Sequence, residues 1–284
     1  MLLHRYFGSH AFETLKEAKL KTARLSSFND PFEFMYVYTS SMTYEQAEQY
    51  ILSRCDNPQF LSWTKQQFPL LTETEIRSYL KNLSPATITE LAANFGKNCE
   101  LSYERRREII DTDLRAVCFS NPAKVNILDE ILLWSHYAQK HGGIRIGFEF
   151  PNKVNEAFQI TEMSYQKNRV KVDFSFKIQI EAFEAALHKS AITKSIAWEY
   201  EREVRLFTKI EYCEPREIRT ATSTVLEYFL PVNAEWVKSV DFGALCPNHE
   251  IQEVVSLLKS NYPHVICRKA EFHKEEYALA YKEI

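Results

Sequence analysis

The chain has 284 residues, 45% of them hydrophobic and 26% charged, a composition that indicates a folded protein with a substantial core and excludes a disordered chain. Its formal net charge of -3 excludes a globally positive surface, so nucleic acid would bind only through a local patch. Six residues are glycine, and none has the spacing of a G-x-G-x-x-G turn or a P-loop, which excludes the two common phosphate-binding loops.

The predicted elements alternate between strands and helices on both sides of a helical block. In chain order, the strand candidates are residues 2–6, 23–25, 115–119, 144–150, 204–209, 226–230, 237–242 and 265–270. Helical patterns outside the block cover residues 127–139, 174–191 and 248–260. These elements predict an α+β fold with two small, strongly twisted sheets.

Residues 43–112 are helical in pattern throughout, and we expect them to form an insertion within a single domain of residues 1–284. Two capping-box pairs and an N-cap followed by proline mark helix starts at Thr43/Gln46, Thr72/Glu75 and Ser84/Pro85. Gly96 is predicted to end the helix that begins at Ser84.

The six cysteines include no C-x-x-C pair, and no apolar run reaches the ~18 residues of a membrane span. The first six residues lead directly into polar sequence instead of the apolar core of a signal peptide. We therefore expect reduced cysteines, a cytoplasmic location, no membrane contact and no structural zinc, while the partners stay unknown.

Residues 28–33 are the first of three segments with unusual polar residues. Asp30 precedes a proline and is biased away from helix, and Asn29 favours an Asx-turn, so the segment predicts a rigid turn. Two interpretations have equal weight: a turn with no further role, or the rim of a functional site.

The second segment, residues 133–150, joins a helix to a strand. Trp134 and Tyr137 share one helix face, and the pair at 142–143 is predicted to supply a left-handed helix stop. In the strand, Gly147 lies on the polar side and leaves room for a ligand to approach the backbone. His136 fits either a packed, hydrogen-bonded histidine or a site residue.

The third segment, residues 194–207, is rich in charge. In an extended chain, Glu201, Glu203 and Arg205 fall on one face. Neighbouring carboxylates raise each other's pKa and an arginine lowers it, which is how acid–base groups are tuned. The alternative is a solvated edge strand protected by its charges.

These segments, in this order, resemble the bacterial and phage family known as domain of unknown function 2971. The motifs that carry the resemblance lie at residues 3–6, 28–33, 117–120, 134–137, 198–205 and 240–243. The family name implies no reaction, so function is a separate inference.

The layout is similar, more distantly, to that of ADP-ribosyltransferases of the DNA-modifying and toxin type. This resemblance implies a split core that binds NAD between two sheets, in an enzyme acting in bacterial stress or phage defence. It implies that NAD contacts His4, Arg5, Asn29, Asp30, Trp134, Tyr137 and Arg205, and that the catalytic residues are His136, Glu201 and Glu203. We expect Glu203 to be the catalytic carboxylate and Glu201 to orient the substrate, with stability unaffected by Glu203→Gln.

Two alternatives stay open. A metal-dependent nuclease would use clustered carboxylates and a cation, here Asp30, Glu33, Glu201 and Glu203 with Lys194 or His136. A non-catalytic sensor or partner-binding module would use the helical insertion as its surface and the polar residues as a structural network. The favoured hypothesis, an NAD-using enzyme, requires no metal.

Overall fold

The computed structural model describes residues 1–39, 42–151, 156–173, 180–219 and 223–284, and within these ranges the predicted α+β class is confirmed. The helices are α1 (Ala11–Glu17), α2 (Tyr44–Cys55), α3 (Pro58–Gln67), α4 (Glu73–Lys81), α5 (Pro85–Asp113), α6 (Ile127–Tyr137), α7 (Ile180–Ala191) and α8 (Asn248–Asn261).

The strands are β1 (Leu2–Phe7), β2 (Lys19–Lys21), β3 (Tyr36–Thr39), β4 (Leu114–Ser120), β5 (Ile144–Glu149), β6 (Phe158–Glu162), β7 (Ser164–Gln166), β8 (Val170–Asp173), β9 (Thr193–Ser195), β10 (Glu203–Lys209), β11 (Glu214–Arg219), β12 (Thr224–Pro231), β13 (Val237–Phe242), β14 (Ile266–Phe272) and β15 (Leu279–Glu283). The chain divides into two compact units. The first comprises residues 1–34, 110–168 and 191–284, and the second comprises residues 35–109 and 169–190.

One eight-stranded sheet dominates the first unit, with the strand order β15-β14-β13-β5-β1-β4-β10-β6. This sheet differs from the predicted arrangement of two small sheets. The eight strands nevertheless fall into two groups that are weakly joined. β1 pairs with β5 from Leu2 to Phe7, but it pairs with β4 only at His4 and Ser120. The sheet is therefore held together at its centre by one pair of residues. A three-stranded sheet, β11-β12-β2, and the pair β7-β9 complete the strands of this unit.

The two faces of the large sheet differ in chemistry, because side chains alternate along each strand. One face is apolar and packs against α1 and α8, through residues that include Leu3, Val117, Phe148, Leu206 and Val240. The opposite face carries His4, Cys118, Ser120, Arg145, Glu203, Arg205 and Asp241. Most of these polar residues are buried, so their charges must be paired inside the protein.

The second unit contains the predicted helical block. No strand occurs in the described residues 42–112, and the capping boxes at Thr43 and Thr72 are formed as predicted. The helices share a small apolar core that includes Ala47, Ile51 and Ile88. The prediction that Gly96 ends a helix is wrong, since α5 continues to Asp113. A glycine in a helix costs only ~1 kcal/mol relative to alanine, and Lys97, Glu100 and Leu101 after it are good helix formers.

The predicted strand at residues 23–25 is also wrong. Residues Leu25–Ser27 form a 3-10 helix, Ala23 makes an isolated bridge with Ala116, and the strand lies earlier, in β2. The predicted helix 174–191 is present as α7 from Ile180, and its first six residues lie outside the described ranges.

The predicted left-handed stop at residues 142–143 is wrong, because Gln139, Lys140 and His141 adopt positive φ and neither glycine does. Gly143 is needed for space: a Cβ there would lie 2.1 Å from the carbonyl oxygen of Phe7. The six cysteines are free thiols, as predicted. Among the described helices, none combines the length and the apolar character that crossing a membrane requires.

Candidate functional site

A cavity of about 340 Å³ lies in the first unit, beside the point where β1 and β4 part. Its volume is at the low end of the ~300–1,000 Å³ typical of ligand pockets. The residues that line it come from β1, the 3-10 helix Leu25–Ser27 and the turn after it, β4, α6, β9, the 3-10 helix Ile196–Glu201 and β10. They are His4, Arg5, Tyr6, Ser27, Phe28, Asn29, Glu33, Cys118, Phe119, Ser120, Leu133, Tyr137, Lys194, Glu201, Glu203 and Arg205.

Five charged side chains at one wall of the cavity form a buried ion-pair cluster. The Nζ atom of Lys194 lies 2.6 Å from Glu201 Oε2, 2.9 Å from Glu203 Oε2 and 3.1 Å from Glu33 Oε1. Arg205 donates from Nε to Glu203 Oε1 at 2.5 Å and from Nη2 to Glu33. Each of the five side chains is at most 6% exposed. Three carboxylates and two cations leave one formal negative charge when all are ionised.

The local chain path explains how the two glutamates reach the same lysine. Lys194 lies in β9, which leads into a 3-10 helix, Ile196–Glu201, and Glu203 then begins β10. Arg202 between them adopts a left-handed conformation with φ 45°. The prediction that Glu201 lies on an extended strand is therefore wrong, although its carboxylate still converges with that of Glu203 on one ammonium group.

The cluster drives the pKa values of the two glutamates apart. Burial raises the pKa of Glu201 to about 7, with Glu203 adding to the effect and Lys194 opposing it. Burial also opposes ionisation of Glu203, but Arg205 and Lys194 outweigh it and hold the pKa of Glu203 well below its usual value. Glu201 therefore exchanges a proton near neutral pH, while Glu203 is a fixed anion. Environments that separate the pKa values of two carboxyl groups are typical of acid–base sites.

Tyr137 is hydrogen-bonded to Glu201, and its pKa is raised. Its hydroxyl donates to Glu201 Oε1 and accepts from Asn29 Nδ2 at 3.4 Å. Burial, followed by the charge of Glu201, raises the pKa of Tyr137 above its usual value. The phenol is therefore protonated at neutral pH and is a donor to Glu201.

The first strand supplies His4 and Arg5. Burial, followed by the charges of Arg145 and Arg268, lowers the pKa of His4 to about 3, so its imidazole is neutral. Burial lowers the pKa of Arg5 to about 10, and Arg5 donates from Nη2 to the carbonyl of Lys21 at 3.2 Å. Its Nη1 atom is buried and has no hydrogen-bond partner among the residues that the structure describes.

Seven of the ten sequence-predicted site residues line the cavity, namely His4, Arg5, Asn29, Tyr137, Glu201, Glu203 and Arg205. Trp134 does not, because it is fully buried and donates from Nε1 to Tyr281. His136 is exposed, with Nδ1 2.9 Å from the hydroxyl of Tyr200. Asp30 is buried and accepts from the backbone amide of Phe32, so the Asx-turn is made by Asp30 and not, as predicted, by Asn29.

Gly147 does not admit a ligand. A Cβ at this position would lie 2.4 Å from Ser239 Oγ, so the space beside the backbone is filled by that side chain. The prediction of a ligand approach at Gly147 is therefore wrong. The glycine allows β5 and β13 to pair closely.

Lys194 and Glu33 belong to the cluster, although the sequence pointed to them only for the nuclease alternative. A signal for Lys194 was present, because a cation shortly before a run of glutamates is a natural partner for them. Cys118 and Ser120 were missed as lining residues. They alternate with the apolar residues of β4, and this alternation would have identified them.

The carboxylates of the nuclease alternative do not surround an open cation site. Glu33, Glu201 and Glu203 all bind the ammonium group of Lys194, which lies where a metal ion would have to bind. Within the described part of the chain, no group of three or more His, Cys, Asp or Glu side chains has an arrangement suited to a metal ion.

A second buried network extends along the same polar face of the sheet. Asp241 is fully buried and accepts from Arg145 Nε at 2.9 Å and from Arg268 Nε at 2.6 Å. The Arg145 guanidinium also binds Glu130 and lies 4.7 Å from the ring centre of Tyr281. The arginines of this network add to the effect of burial in lowering the pKa of His4 beside the cavity.

Comparison with known proteins identifies one family. Its model, described as "Protein of unknown function (DUF2971)", matches residues 133–206, a shorter span than the motifs noted in the sequence. This segment supplies Leu133, Tyr137, Lys194, Glu201, Glu203 and Arg205 to the cavity. Neither the curated proteins nor the solved structures contain a significant match to the chain. The family match confirms the resemblance seen in the sequence: residues 133–206 carry the signature of the DUF2971 family.

Proposed function

We propose that the cavity binds NAD and that the protein is an ADP-ribosyltransferase-like enzyme, which breaks the bond between nicotinamide and ribose. One observation carries the proposal: a proton-exchanging carboxyl group and a fixed carboxylate lie side by side on the wall of a ligand-sized cavity. This combination suits a reaction that forms a cation and transfers a proton.

The two glutamates divide the chemistry. Cleavage of the glycosidic bond leaves the bonding electrons on nicotinamide and positive charge on the ribose. The cluster's net negative charge stabilises that positive charge electrostatically. The acceptor then attacks the ribose carbon and gives its proton to Glu201, whose pKa of about 7 suits a general base at neutral pH. Glu203 is bound by Arg205 and Lys194, so we assign proton transfer to Glu201 and not to Glu203.

Other lining residues suit a nucleoside-shaped ligand. Tyr6, Phe28 and Tyr137 offer aromatic surfaces, while Asn29 and the neutral imidazole of His4 offer hydrogen bonds for ribose hydroxyls. Trp134 takes no part, because its ring is buried elsewhere. A cavity of about 340 Å³ suits the nicotinamide riboside part of NAD, with the remainder extending outside.

Nicotinamide release tests this function. The purified protein is incubated with NAD, and free nicotinamide is separated by chromatography and quantified. The wild type should release nicotinamide, and Glu201→Gln should lower the rate ~100-fold or more, as expected for loss of a positioned proton-transfer group.

Glu199→Gln is the matched control, because Glu199 lies in the same 3-10 helix but has a side chain that is 44% exposed and pairs with Arg202. Its release rate should equal that of the wild type. Binding is measured independently, since a ligand of the folded state raises the melting temperature. Wild-type protein that neither gains stability with NAD nor releases nicotinamide would refute the proposed function.

A further inference from the structure

Glu33 completes a closed ring of alternating charges beside the cavity. The Nζ atom of Lys194 lies 2.9 Å from Glu203 Oε2 and 3.1 Å from Glu33 Oε1. On the other side of the ring, Arg205 donates from Nε to Glu203 Oε1 at 2.5 Å and from Nη2 to Glu33 Oε2. Two carboxylates and two cations therefore compensate each other, and the remaining negative charge of the cluster belongs to Glu201.

Glu201 meets this ring at the ammonium group of Lys194, which it contacts at 2.6 Å. The carboxylate oxygens of Glu33 and Glu201 contact the same nitrogen atom and are at most about 6 Å apart, a distance at which one negative charge raises the pKa of another carboxyl group. Because Lys194 is shared with Glu33, less of its positive charge is available to hold Glu201 in its ionised form. Both effects favour the protonated form of Glu201.

The turn that carries Glu33 fixes the position of its side chain. The Glu33 amide donates to the carbonyl of Asp30 at 3.1 Å, and Asp30 Oδ1 accepts from the Phe32 amide at 2.9 Å. The Glu33 side chain is only 1% exposed. Its Oε1 atom makes an ion pair with Lys194 but no hydrogen bond among the described residues, so this contact acts through charge.

The other titratable groups that face Glu201 keep one charge state near neutral pH. Burial raises the pKa values of three nearby phenols, which stay protonated and are Tyr137 of α6, Tyr165 of β7 and Tyr200 of the same 3-10 helix. Burial opposes the charge of Lys194, but the three glutamates of the cluster outweigh it and raise the pKa of Lys194. Burial also opposes ionisation of Glu203, which Arg205 and Lys194 nevertheless hold as an anion. Glu201 therefore titrates among fixed charges.

We propose that Glu33 is a positioning residue for the proposed reaction: by occupying Lys194 and Arg205, it withholds positive charge from Glu201 and keeps that carboxyl group able to take up a proton. The proposal rests on the proposed role of Glu201 as a general base. Without Glu33, the two cations would face two carboxylates, and Glu201 would be a fixed anion like Glu203. A fixed anion still stabilises positive charge on the ribose, but it accepts the proton of the acceptor less readily.

Titration of Glu201 in the full-length protein, without substrate, tests this role. Infrared absorption between about pH 4 and about pH 9 follows the carbonyl stretch of the protonated carboxyl group, which is assigned by its absence in Glu201→Gln. The wild-type midpoint is expected near the Glu201 pKa of about 7. Glu33→Gln keeps the size of the side chain and removes its charge. Its midpoint should fall by roughly one to two pH units, the effect of a unit charge about 6 Å away at an effective dielectric constant of about 20.

Glu130→Gln is the matched control. Glu130 is also a largely buried acid that binds an arginine, Arg145, but it belongs to the second network and does not line the cavity. This variant should be destabilised in urea and should keep the wild-type Glu201 midpoint. Glu33→Asp is a second test variant, because it keeps the charge that the fold needs while its shorter side chain draws the carboxylate away from Lys194. Its midpoint should lie between those of the wild type and Glu33→Gln.

A wild-type midpoint in Glu33→Gln, or an equal shift in Glu130→Gln, would overturn the proposal. If Glu33→Gln does not fold, a wild-type midpoint in Glu33→Asp has the same meaning. In nicotinamide release, the low-pH limb of the pH profile should move with the midpoint in Glu33→Gln, whereas a purely structural role would lower the rate equally at all pH values. The titration needs no NAD, so a wild type that releases no nicotinamide refutes the proposed function and leaves the midpoint to decide the role of Glu33.

Discussion

Lys194→Met should destabilise the protein strongly at alkaline pH and much less at acidic pH. The substitution keeps a side chain of similar length and removes the ammonium group that contacts Glu33, Glu201 and Glu203 at 2.6 to 3.1 Å. Three buried carboxylates would then face Arg205 alone. Their mutual repulsion is the source of the expected loss.

The magnitude follows from those distances. Each contact near 3 Å is worth roughly 5 kcal/mol before desolvation, at an effective dielectric constant of about 20. Most of this sum offsets the cost of burying the lysine. The measured loss on removing one partner of a buried pair is about 3–5 kcal/mol, and we expect Lys194→Met to lie in this range near pH 8.

The sign of the pH dependence follows from the pKa shifts. The pKa of Lys194 is raised in the folded state, so its contribution is complete at all pH values below its ordinary pKa, pH 5 and pH 8 included. In the wild type, Lys194 opposes the upward shift in the pKa of Glu201. Removing the Lys194 ammonium group therefore raises the pKa of Glu201 further. A carboxyl group with a raised pKa stabilises the folded state at low pH and loses this contribution as the pH rises. The deficit of the variant should therefore shrink from about pH 8 to about pH 5.

Urea denaturation at both pH values measures the free energy of unfolding. Lys238→Met is the matched control, since Lys238 also lies in a strand, β13, but is 40% exposed and makes only a 3.9 Å contact with Glu149. Its effect should stay below about 1 kcal/mol. A Lys194→Met protein as stable as the wild type near pH 8, or equally destabilised at both pH values, would refute the electrostatic account.

Three further substitutions test other parts of the structure. Glu203→Gln should cost about 3 kcal/mol or more in urea denaturation, because Arg205 and Lys194 lose a buried charge partner. Asp241→Asn should cost a similar ~3 kcal/mol by the same assay, since the residue binds two arginines while fully buried. Gly143→Ala should lower the melting temperature through a loss of about 1–3 kcal/mol or more, because its Cβ would overlap a carbonyl oxygen.

Each of these three substitutions has a matched control variant. Glu211→Gln removes an exposed carboxylate near Lys209 and should change stability by less than ~0.5 kcal/mol, in contrast to the two buried acids. Gly142→Ala should be milder than Gly143→Ala, because the nearest atom to its Cβ lies at 3.1 Å and not at 2.1 Å. Equal effects within either comparison would contradict the proposed causes.

The sequence predicted strands and helices well where periodicity was continuous. β1, β4, β5, β10, β12, β13 and β14 all fall on predicted strands, and the two capping boxes are formed. The short strands were missed because three or four residues, as in β2 and β9, show too little alternation to recognise. The helix end predicted at Gly96 was wrong because a glycine is only a local stop signal, and α5 continues past it to Asp113.

The sequence pointed to several residues that line the cavity, but it did not reveal which partners each of them contacts. Segments far apart in sequence bring Asn29, Tyr137 and Glu201 to one cavity, as the shared polar character of those segments had indicated. The roles depend on which cation each carboxylate meets, and sequence spacing does not contain this information. Glu203 was expected to be replaceable without loss of stability, whereas its bonds to Arg205 and Lys194 now predict the opposite.

The position of the cavity follows from the polarity of one sheet face. Charged residues on a buried sheet face need charged or hydrogen-bonding partners, and hydrophobic packing does not provide them. At Asp241 the partners are arginines, and the network is fully paired. Beside His4, where β1 and β4 share one residue pair, Glu201 has a cation and a phenol as partners and a pKa of about 7. Among the described residues, the polar face of the sheet therefore carries a paired network at Asp241, and Glu201, with its raised pKa, lies beside the same face at the cavity.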